Sequence, residues 1–317
     1  MNPIIPPVSV DTLLSELTQE RFFRKTNNGN NEIYIVSDFD SPNVMLEIGR
    51  LREITFRDSG GGTGKSTDID DFDRGPNGFK QLIVWNPEDN AIMGGYRFID
   101  CKELAIDEHG KVQTPAAKLF HYSDQFVKEF IPKTIELGRS FVQPFYQPMN
   151  NLRKGIFALD NLWDGLGSLI SEYPDSRYFF GKVTMYSHFD KLARDLILYF
   201  LNQNFPDPDK LVYPYNPLPY HHDIAVLEKV FVGKTYEENL KILVQKVRER
   251  KQNIPPLVNA YMSLSSTMRT FGTTLNTTFG EVEETGIILT IDDIYGIKKD
   301  RHLHYEKGEK PTHLLWL

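Results

Sequence analysis

The order of helical and strand patterns along the chain is the feature that most constrains its fold. A helix start at Ser41 and Pro42 is followed by apolar residues at steps of four, three and three, which form one buried face. Two strand patterns at residues 81–85 and 91–99 are then joined by a five-residue turn, which indicates a hairpin. Because strands and helices do not alternate strictly, the order predicts an α+β fold with a mixed, mostly antiparallel sheet flanked by helices.

The remaining patterns complete this prediction. Further strands are predicted at residues 32–37, 134–142, 178–186 and 285–291. Further helices are predicted at residues 10–24, 122–130, 151–173, 187–204, 236–251 and 256–271. The segment 205–218 carries four prolines and reads as a surface loop. With no linker between independent halves, the sequence predicts an N-terminal arm over residues 1–40 and a single domain over residues 41–317.

The charge balance limits the class of partner. The chain has 36 Lys and Arg against 43 Asp and Glu, and its net charge of -7 does not suit nucleic-acid binding. An acidic protein partner would require a local basic patch. The N-terminus has no secretory pattern, and no apolar stretch reaches the ~20 residues of a membrane helix. We therefore expect a cytoplasmic protein, which could still touch a membrane surface.

The glycine-rich segment from Ser59 to Thr67 is similar to a phosphate-binding P-loop but does not satisfy its pattern. The position that requires the first glycine is occupied by Ser59. A helix precedes the segment where a P-loop requires a strand, and the acidic run that follows would repel a triphosphate. A mobile loop that covers a site is the better interpretation.

Four short motifs carry the candidate chemistry. They are Arg52 with Phe56 on the first long helix, the acidic run Asp68, Asp70 and Asp73, the strand motif Gly94-x-x-Arg97, and the strand motif Glu136-x-x-Arg139. Each motif alone has a structural explanation, such as a solvated loop or a surface ion pair. In a regular strand Glu136 and Arg139 would point to opposite faces, so a bulge at Gly138 is required to bring them to one side.

In combination and in this order, the motifs resemble those of the acyl-carrier-protein-dependent N-acyltransferases. This family joins acyl-homoserine-lactone synthases to ornithine-lipid and glycine-lipid N-acyltransferases. The similarity continues through Leu162-Trp163 and residues 178–181 to residues 254–257, and it covers residues 45–295. The long C-terminal part favours the lipid-forming branch. The tryptophan that lactone synthases carry after the first arginine and phenylalanine is absent, which also favours the lipid-forming branch. In a second departure from the family pattern, Asp68 stands where the family often has glutamate.

The resemblance implies a GNAT-like three-layer fold and an acyltransferase. It implies transfer of a long, 3-hydroxylated acyl chain to the amine of an amino acid, with glycine as the first choice of acceptor and ornithine as the second. This reaction would be the first step of an aminolipid pathway. No bound cofactor is expected, since the 4′-phosphopantetheine of acyl carrier protein supplies the donor arm. The expected partners are acyl carrier protein and the amino-acid acceptor, together with peripheral membrane contact.

These residue types suit the attack of an amine on a thioester. The predicted catalytic residues are Glu136, as general base, Asp70 and Arg139. Acids can hold an ammonium and arginines a carboxylate, so the predicted substrate-binding residues are Arg52, Phe56, Asp68, Asp73 and Arg97. Arg153 and Lys154 are predicted to bind the carrier, with Arg177 and Lys182 in the same basic patch. No metal site is expected.

Two other functions stay open at this point. A degenerate GNAT fold could bind acyl carrier protein or lipid without turnover, although the retained acids and arginines disfavour it. A CoA-dependent acetyltransferase is disfavoured because the glycine-rich turn that wraps the pyrophosphate of CoA is missing after the Glu136 strand.

Overall fold

The computed structural model describes residues 1–104, 111–147, 155, 157–303 and 309–314. The chain folds as two units. The first comprises Met1–Glu103, Lys133–Ser176 and Tyr295–Leu317, and the second comprises Leu104–Pro132 and Arg177–Ile294. Residues 1–40 belong to the first unit, to which they contribute a helix and two strands. The division into an arm and one domain stays a prediction.

In the described residues the strands are β1 (Phe22–Lys25), β2 (Glu32–Val36), β3 (Lys80–Asn86), β4 (Ala91–Asp100), β5 (Phe120–Tyr122), β6 (Thr134–Val142), β7 (Tyr178–Met185), β8 (Val212–Pro214), β9 (Arg269–Asn276) and β10 (Val282–Thr290). The α-helices there are α1 (Val10–Glu16), α2 (Pro42–Asp58), α3 (Ala158–Glu172), α4 (Lys191–Asn204), α5 (Ile224–Glu228), α6 (Tyr236–Glu249), α7 (Pro256–Met262) and α8 (Gly296–Leu303). None of these helices has the length and apolar character needed to cross a membrane.

The first unit is a three-layer structure around an antiparallel sheet. Its strands lie in the order β1-β2-β3-β4-β6. One face contacts α2, since Arg52 on that helix hydrogen-bonds to Gln81 on β3. The other face contacts α3, where Gly165 lies against Leu82 and Tyr96. A Cβ atom at position 165 would lie 2.5 Å from a Leu82 methyl carbon, so glycine permits this close packing.

Helix α2 begins as the sequence predicts, with Ser41 at the N-cap position, but the Ser41 side chain does not cap the helix. Pro42 occupies the first turn, and the predicted buried face is present, with Ile54 only half-buried at its end. The Ser41 side chain makes no cap hydrogen bond, and its hydroxyl donates to Asp40 instead. The Glu16 carboxylate accepts from the backbone N–H groups of Asn43 and Val44, so a residue from α1 satisfies the helix start.

Within the second unit, three antiparallel strands lie in the order β7-β10-β9, and β5 pairs with β8. Helix α4 is buried on every side from residue 193 to residue 201, and Leu196, Ile197 and Phe200 are among its buried apolar residues. Helix α6 packs against α4 through a narrower face made by Leu243 and Val247. All pairings described within the two units are antiparallel, so the prediction of an α+β fold with a mostly antiparallel sheet is confirmed.

Three predicted helices were wrong in extent or type. The helix predicted at residues 10–24 ends at Glu16, because Phe22–Lys25 pairs with β2. The helix predicted at 256–271 ends at Met262, and Arg269–Asn276 is a strand paired with β10. Residues 122–130 form the end of β5 and one short turn of π-helix, Phe126–Phe130. In each case, cross-strand pairing or ring packing prevails over the local helical pattern.

Candidate active site

The four motifs converge in the first unit on one group of charged side chains. Helix α2 supplies Arg52, strand β4 supplies Arg97, and strand β6 supplies Arg139. The acids come from the segment that enters the short turn Asp71–Asp73. We call this group the Arg–Asp cluster, and its members are Arg52, Asp68, Asp70, Asp73, Gln81, Arg97 and Arg139.

Asp73 is the inner anchor of the cluster. Its Oδ1 atom lies 3.2 Å from Nη1 of Arg52, and its Oδ2 atom lies 3.1 Å from Nη1 of Arg97. Gln81 donates its amide to Asp73 Oδ1 at 3.0 Å and accepts a hydrogen bond from Arg52. Burial acts to raise the pKa of the Asp73 carboxyl, but Arg52 and Arg97 hold that pKa well below its usual range. The carboxylate is therefore charged and fully paired.

The outer part of the cluster reaches solvent through two side chains. Arg97 Nη1 lies 2.8 Å from Asp70 Oδ1, and Arg139 Nε lies 2.8 Å from Asp68 Oδ2. The side chain of Asp70 is 31% exposed and that of Arg139 is 15% exposed, whereas Arg52, Asp68, Asp73 and Arg97 are buried. The two side chains that reach solvent lie close together, because Oδ2 of Asp70 and Nη2 of Arg139 are 3.8 Å apart. A molecule from outside would meet the cluster at this pair.

The spacing of the acids has a local structural cause. Asp70 caps the short turn by accepting from the backbone N–H of Phe72 at 3.0 Å. Asp73 returns the bond by accepting from the backbone N–H of Asp70 at 3.1 Å, so the two acids form a capping box. The same acid-x-x-acid spacing thus folds the turn and aims both carboxylates at the arginines.

A bulge in β6 brings Arg139 to the cluster, one residue later than predicted. Gly138 lies opposite Arg97 and Phe141 opposite Gly95, so Arg139 and Ser140 together stand opposite a single β4 residue. Arg139 has a φ of 52°, in the left-handed region that is uncommon for residues other than glycine. This strained backbone turns the Arg139 side chain to the face that carries Arg97.

Glu136, the predicted base, is buried on β6. It lies opposite Ile99, two residues from the Gly138 that pairs with Arg97, so its side chain points to the same sheet face as Arg97.

Cys101 lies close to Glu136. Burial raises the pKa of the Cys101 thiol well above its usual range, and the charge of Glu136 raises it further, so this cysteine is a protonated thiol and no nucleophile.

Phe56 is placed differently from the charged residues. It is buried one helical turn after Arg52, and its backbone carbonyl accepts from Ser59 and Gly61 at the start of the glycine-rich loop. Its predicted contact with substrate stays a prediction.

The glycine-rich loop is fastened, which corrects the expectation of a mobile loop. Glu53, buried on α2, accepts from the backbone N–H groups of Thr63 at 3.1 Å and Gly64 at 2.8 Å, and from the Thr63 hydroxyl at 2.7 Å. Arg57 Nε lies 2.7 Å from the same carboxylate. The backbone N–H groups of Thr63 and Gly64, which a P-loop would direct at a phosphate, therefore donate to Glu53 instead. This is a structural reason why the segment does not act as a P-loop.

Sequence reasoning missed Gln81 and Glu53. Gln81 is a fully buried polar residue on β3, directly before the apolar run 82–85, and it lies opposite Arg97. The hairpin turn alone would place Gln81 opposite Tyr96, and a β-bulge between Val84 and Trp85 shifts the pairing to Arg97. The signal available from the sequence was therefore only a polar residue beside an apolar run. Glu53 offered no comparable signal, because its partners lie in an irregular loop.

The structure describes only part of the predicted carrier-binding patch. Arg153 and Lys154 lie outside the described residues, so their role stays a prediction. Lys182 does not face solvent as a free cation, because its Nζ lies 2.7 Å from the buried carboxylate of Glu284.

The chemistry available at the cluster follows from its charges. Three arginines and three aspartates balance one another, so the buried part forms a rigid ionic framework. Asp70 and Arg139 present a carboxylate and a guanidinium side by side at the surface of that framework. Such a pair can bind an ammonium and an anion of one small molecule at the same time.

Comparison with known proteins agrees with this geometry. Residues 51–153 match the acetyltransferase (GNAT) domain family, and this span contains the whole Arg–Asp cluster. Two relatives are glycine N(alpha)-acyltransferases, from Phocaeicola vulgatus and from Bacteroides thetaiotaomicron. Each is 52% identical over 303 residues, which is 96% of this chain and 93% and 90% of theirs, respectively. No solved structure matches the chain. The predicted GNAT-like fold and transferase activity are confirmed, and the chain belongs to the GNAT-like N-acyltransferases.

Proposed function

We propose that the chain transfers a long, 3-hydroxylated fatty acyl group from acyl carrier protein to the amine of glycine, as the first step of an aminolipid pathway. The observation that carries this proposal is 52% identity, over 96% of the chain, to two proteins named glycine N(alpha)-acyltransferase. Ornithine is the second choice of acceptor.

The solvent-exposed pair of the Arg–Asp cluster supports a small zwitterionic acceptor. In the proposed complex Asp70 holds the ammonium of glycine and Arg139 holds its carboxylate. Glycine carries these two charges on adjacent carbons, which suits two side chains whose charged atoms lie 3.8 Å apart. Ornithine would bring a second ammonium, which this pair alone does not match.

In the proposed reaction, the bound ammonium first releases one proton to water, and the neutral amine then attacks the carbonyl carbon of the thioester. The new carbon–nitrogen bond forms as the carbon–sulfur bond breaks, and the sulfur leaves on the pantetheine arm. Glu136 accepts the proton that the nitrogen loses on attack and passes it to the departing sulfur, which leaves as a thiol. Arg52, Asp68, Asp73 and Arg97 hold Asp70 and Arg139 in place, so little reorganisation is required during the reaction.

The proposed donor is acyl carrier protein rather than CoA. A carrier-bound pantetheine arm lacks the adenosine diphosphate of CoA, and the chain lacks the glycine-rich turn with which CoA-using relatives wrap that group. A cytoplasmic location with contact to the membrane surface belongs to the same proposal, because the product would carry a long acyl chain.

A direct assay with the purified chain tests donor and acceptor together. The 3-hydroxyacyl group is supplied either on acyl carrier protein or on CoA, and glycine, ornithine and serine are compared as acceptors by mass spectrometry of the product. We expect the highest kcat/KM for the carrier-bound donor with glycine. A higher kcat/KM with acyl-CoA would contradict the proposed donor, and a preference for ornithine would contradict the proposed acceptor.

A further inference from the structure

The end of helix α6 carries a local surplus of positive charge on a chain whose net charge is -7. Between residues 241 and 251 there are five cations and a single acid, Glu249; the cations are Lys241, Lys246, Arg248, Arg250 and Lys251. The first turn of α6 is acidic instead, with Glu237 and Glu238. The positive charge therefore follows the acidic first turn and extends just beyond the end of the helix.

Local ion pairs neutralise some of these cations and leave others available. Lys246 lies 2.9 Å from Glu249, and Arg250 lies 2.8 Å from Asp190. Within the described part of the chain, Lys241 and Arg248 have no carboxylate partner. They are exposed and seven residues apart, which is about two helical turns, so they lie on one face.

This face has an apolar floor that the fold does not cover. Leu240, Lys241, Val244, Gln245, Arg248 and Glu249 line a shallow, open depression on α6. Leu240 and Val244 are half-buried, while Leu243 and Val247 are the residues that α6 buries. The depression thus combines two aliphatic side chains with the cations Lys241 and Arg248, and the carboxylate of Glu249 at its edge is paired with Lys246.

We propose that this face of α6 is a docking surface for acyl carrier protein. The inference rests on the proposed carrier-bound donor. An acidic protein repelled by the net charge of the chain needs a local basic surface, and Lys241 and Arg248 provide it beside an apolar contact. A lipid bilayer fits less well, because Leu240 and Val244 are half-buried and do not project far enough to enter it.

Charge reversal on this face tests the inference. In the double variant Lys241→Glu with Arg248→Glu, we expect KM for acyl carrier protein to rise about tenfold or more, while kcat stays within about twofold of the wild type. Activity with an acyl-pantetheine thioester, which carries no protein, should not change. The matched control is Lys229→Glu with Lys234→Glu, which makes the same charge change at two exposed lysines outside α6.

Each other outcome would overturn the inference. An unchanged KM for the carrier-bound donor would remove α6 from carrier binding, as would an equal rise in the control variant. Loss of binding to phosphatidylglycerol vesicles with an unchanged KM would assign the face to an anionic membrane. A wild-type chain that used acyl-CoA but not the carrier-bound donor would contradict the proposed function itself, so the two failures are distinguishable.

Discussion

Asp70 is the carboxylate of the Arg–Asp cluster that solvent reaches. Its replacement should therefore weaken the reaction with the acceptor without unfolding the protein. In Asp70→Asn the capping of Phe72 N–H can persist, and Arg97 keeps Asp73 as a counter-charge. We expect kcat/KM for the acceptor to fall about 10²-fold or more, with the protein still folded. Steady-state kinetics and thermal unfolding check this. Asp71→Asn, an exposed neighbour, should keep full activity, and equal losses in both variants would contradict a specific role for Asp70.

Asp73 should affect stability more than any other acid of the cluster. Asp73→Asn leaves Arg52 and Arg97 buried with less compensating charge, which we expect to lower the free energy of unfolding by about 3–5 kcal/mol at pH 7. Urea unfolding of the wild type and the variant measures this difference.

The pH dependence of that difference follows from the lowered pKa of Asp73. A carboxyl whose pKa is depressed by folding stabilises the protein above its unfolded pKa of about 3.9, and this contribution is lost as the pH falls toward the folded pKa. The gap between wild type and Asp73→Asn should therefore narrow below about pH 4. A gap that is the same at pH 3 and pH 7 would contradict the paired carboxylate.

At the scale of elements, Glu53 fastens the glycine-rich loop to α2. Glu53→Gln removes the charge that Thr63, Gly64 and Arg57 contact. We expect a loss of about 1–3 kcal/mol in unfolding free energy and faster tryptic cleavage after Lys65. Limited proteolysis with timed sampling measures the cleavage rate. Asp58→Asn, an exposed substitution on the same helix, serves as control, and unchanged cleavage in Glu53→Gln would restore the mobile-loop interpretation.

The glycine pair of β4 sets the approach of its neighbouring strands. A Cβ atom at Gly94 would lie 2.3 Å from the Phe141 carbonyl oxygen on β6. Because backbone must shift to relieve this clash, Gly94→Ala should destabilise the protein by about 1–3 kcal/mol, which thermal unfolding would detect. Gly296→Ala has open space around its new methyl group and should be close to neutral. Equal melting temperatures for both variants would show that β4 and β6 do not need this glycine.

Much of the sheet could be predicted from the sequence because its signals are local. The β3–β4 hairpin and β6 were predicted within about two residues at each end, since each combines a strand pattern with turn or flanking signals. Strand β9 was missed because its pairing with β10 is a tertiary effect that the local pattern does not show. The bulge was expected at Gly138, to bring Glu136 and Arg139 to one side, but the residue with a positive φ is Arg139.

The cluster was predictable in membership and less so in arrangement. Its arginines and aspartates were all identified from motif order, yet sequence spacing does not say which acids are buried in ion pairs. The structure separates Asp73, enclosed by Arg52 and Arg97, from Asp70, which reaches solvent. That distinction depends on depth within the fold, to which α2, β4 and β6 all contribute.

At the scale of the whole molecule, the two units place the proposed functions on different parts of the chain. The Arg–Asp cluster and Glu136 belong to the first unit, and the basic face of α6 belongs to the second. Binding of the acceptor and docking of the carrier are therefore expected to respond to separate sets of substitutions. A variant of α6 should alter KM for the donor, and a variant of Asp70 should alter kinetics for the acceptor.

The most direct measurement of the central claim is mass spectrometry of lipids from a host cell that expresses the chain, beside a host that expresses Glu136→Ala. The account predicts new N-acylated glycine with a long, 3-hydroxylated chain in the first host and its loss in the second. Immunoblotting should show equal amounts of both proteins. The absence of any new N-acyl amino acid from the wild-type host, with the protein folded and present, would contradict the account.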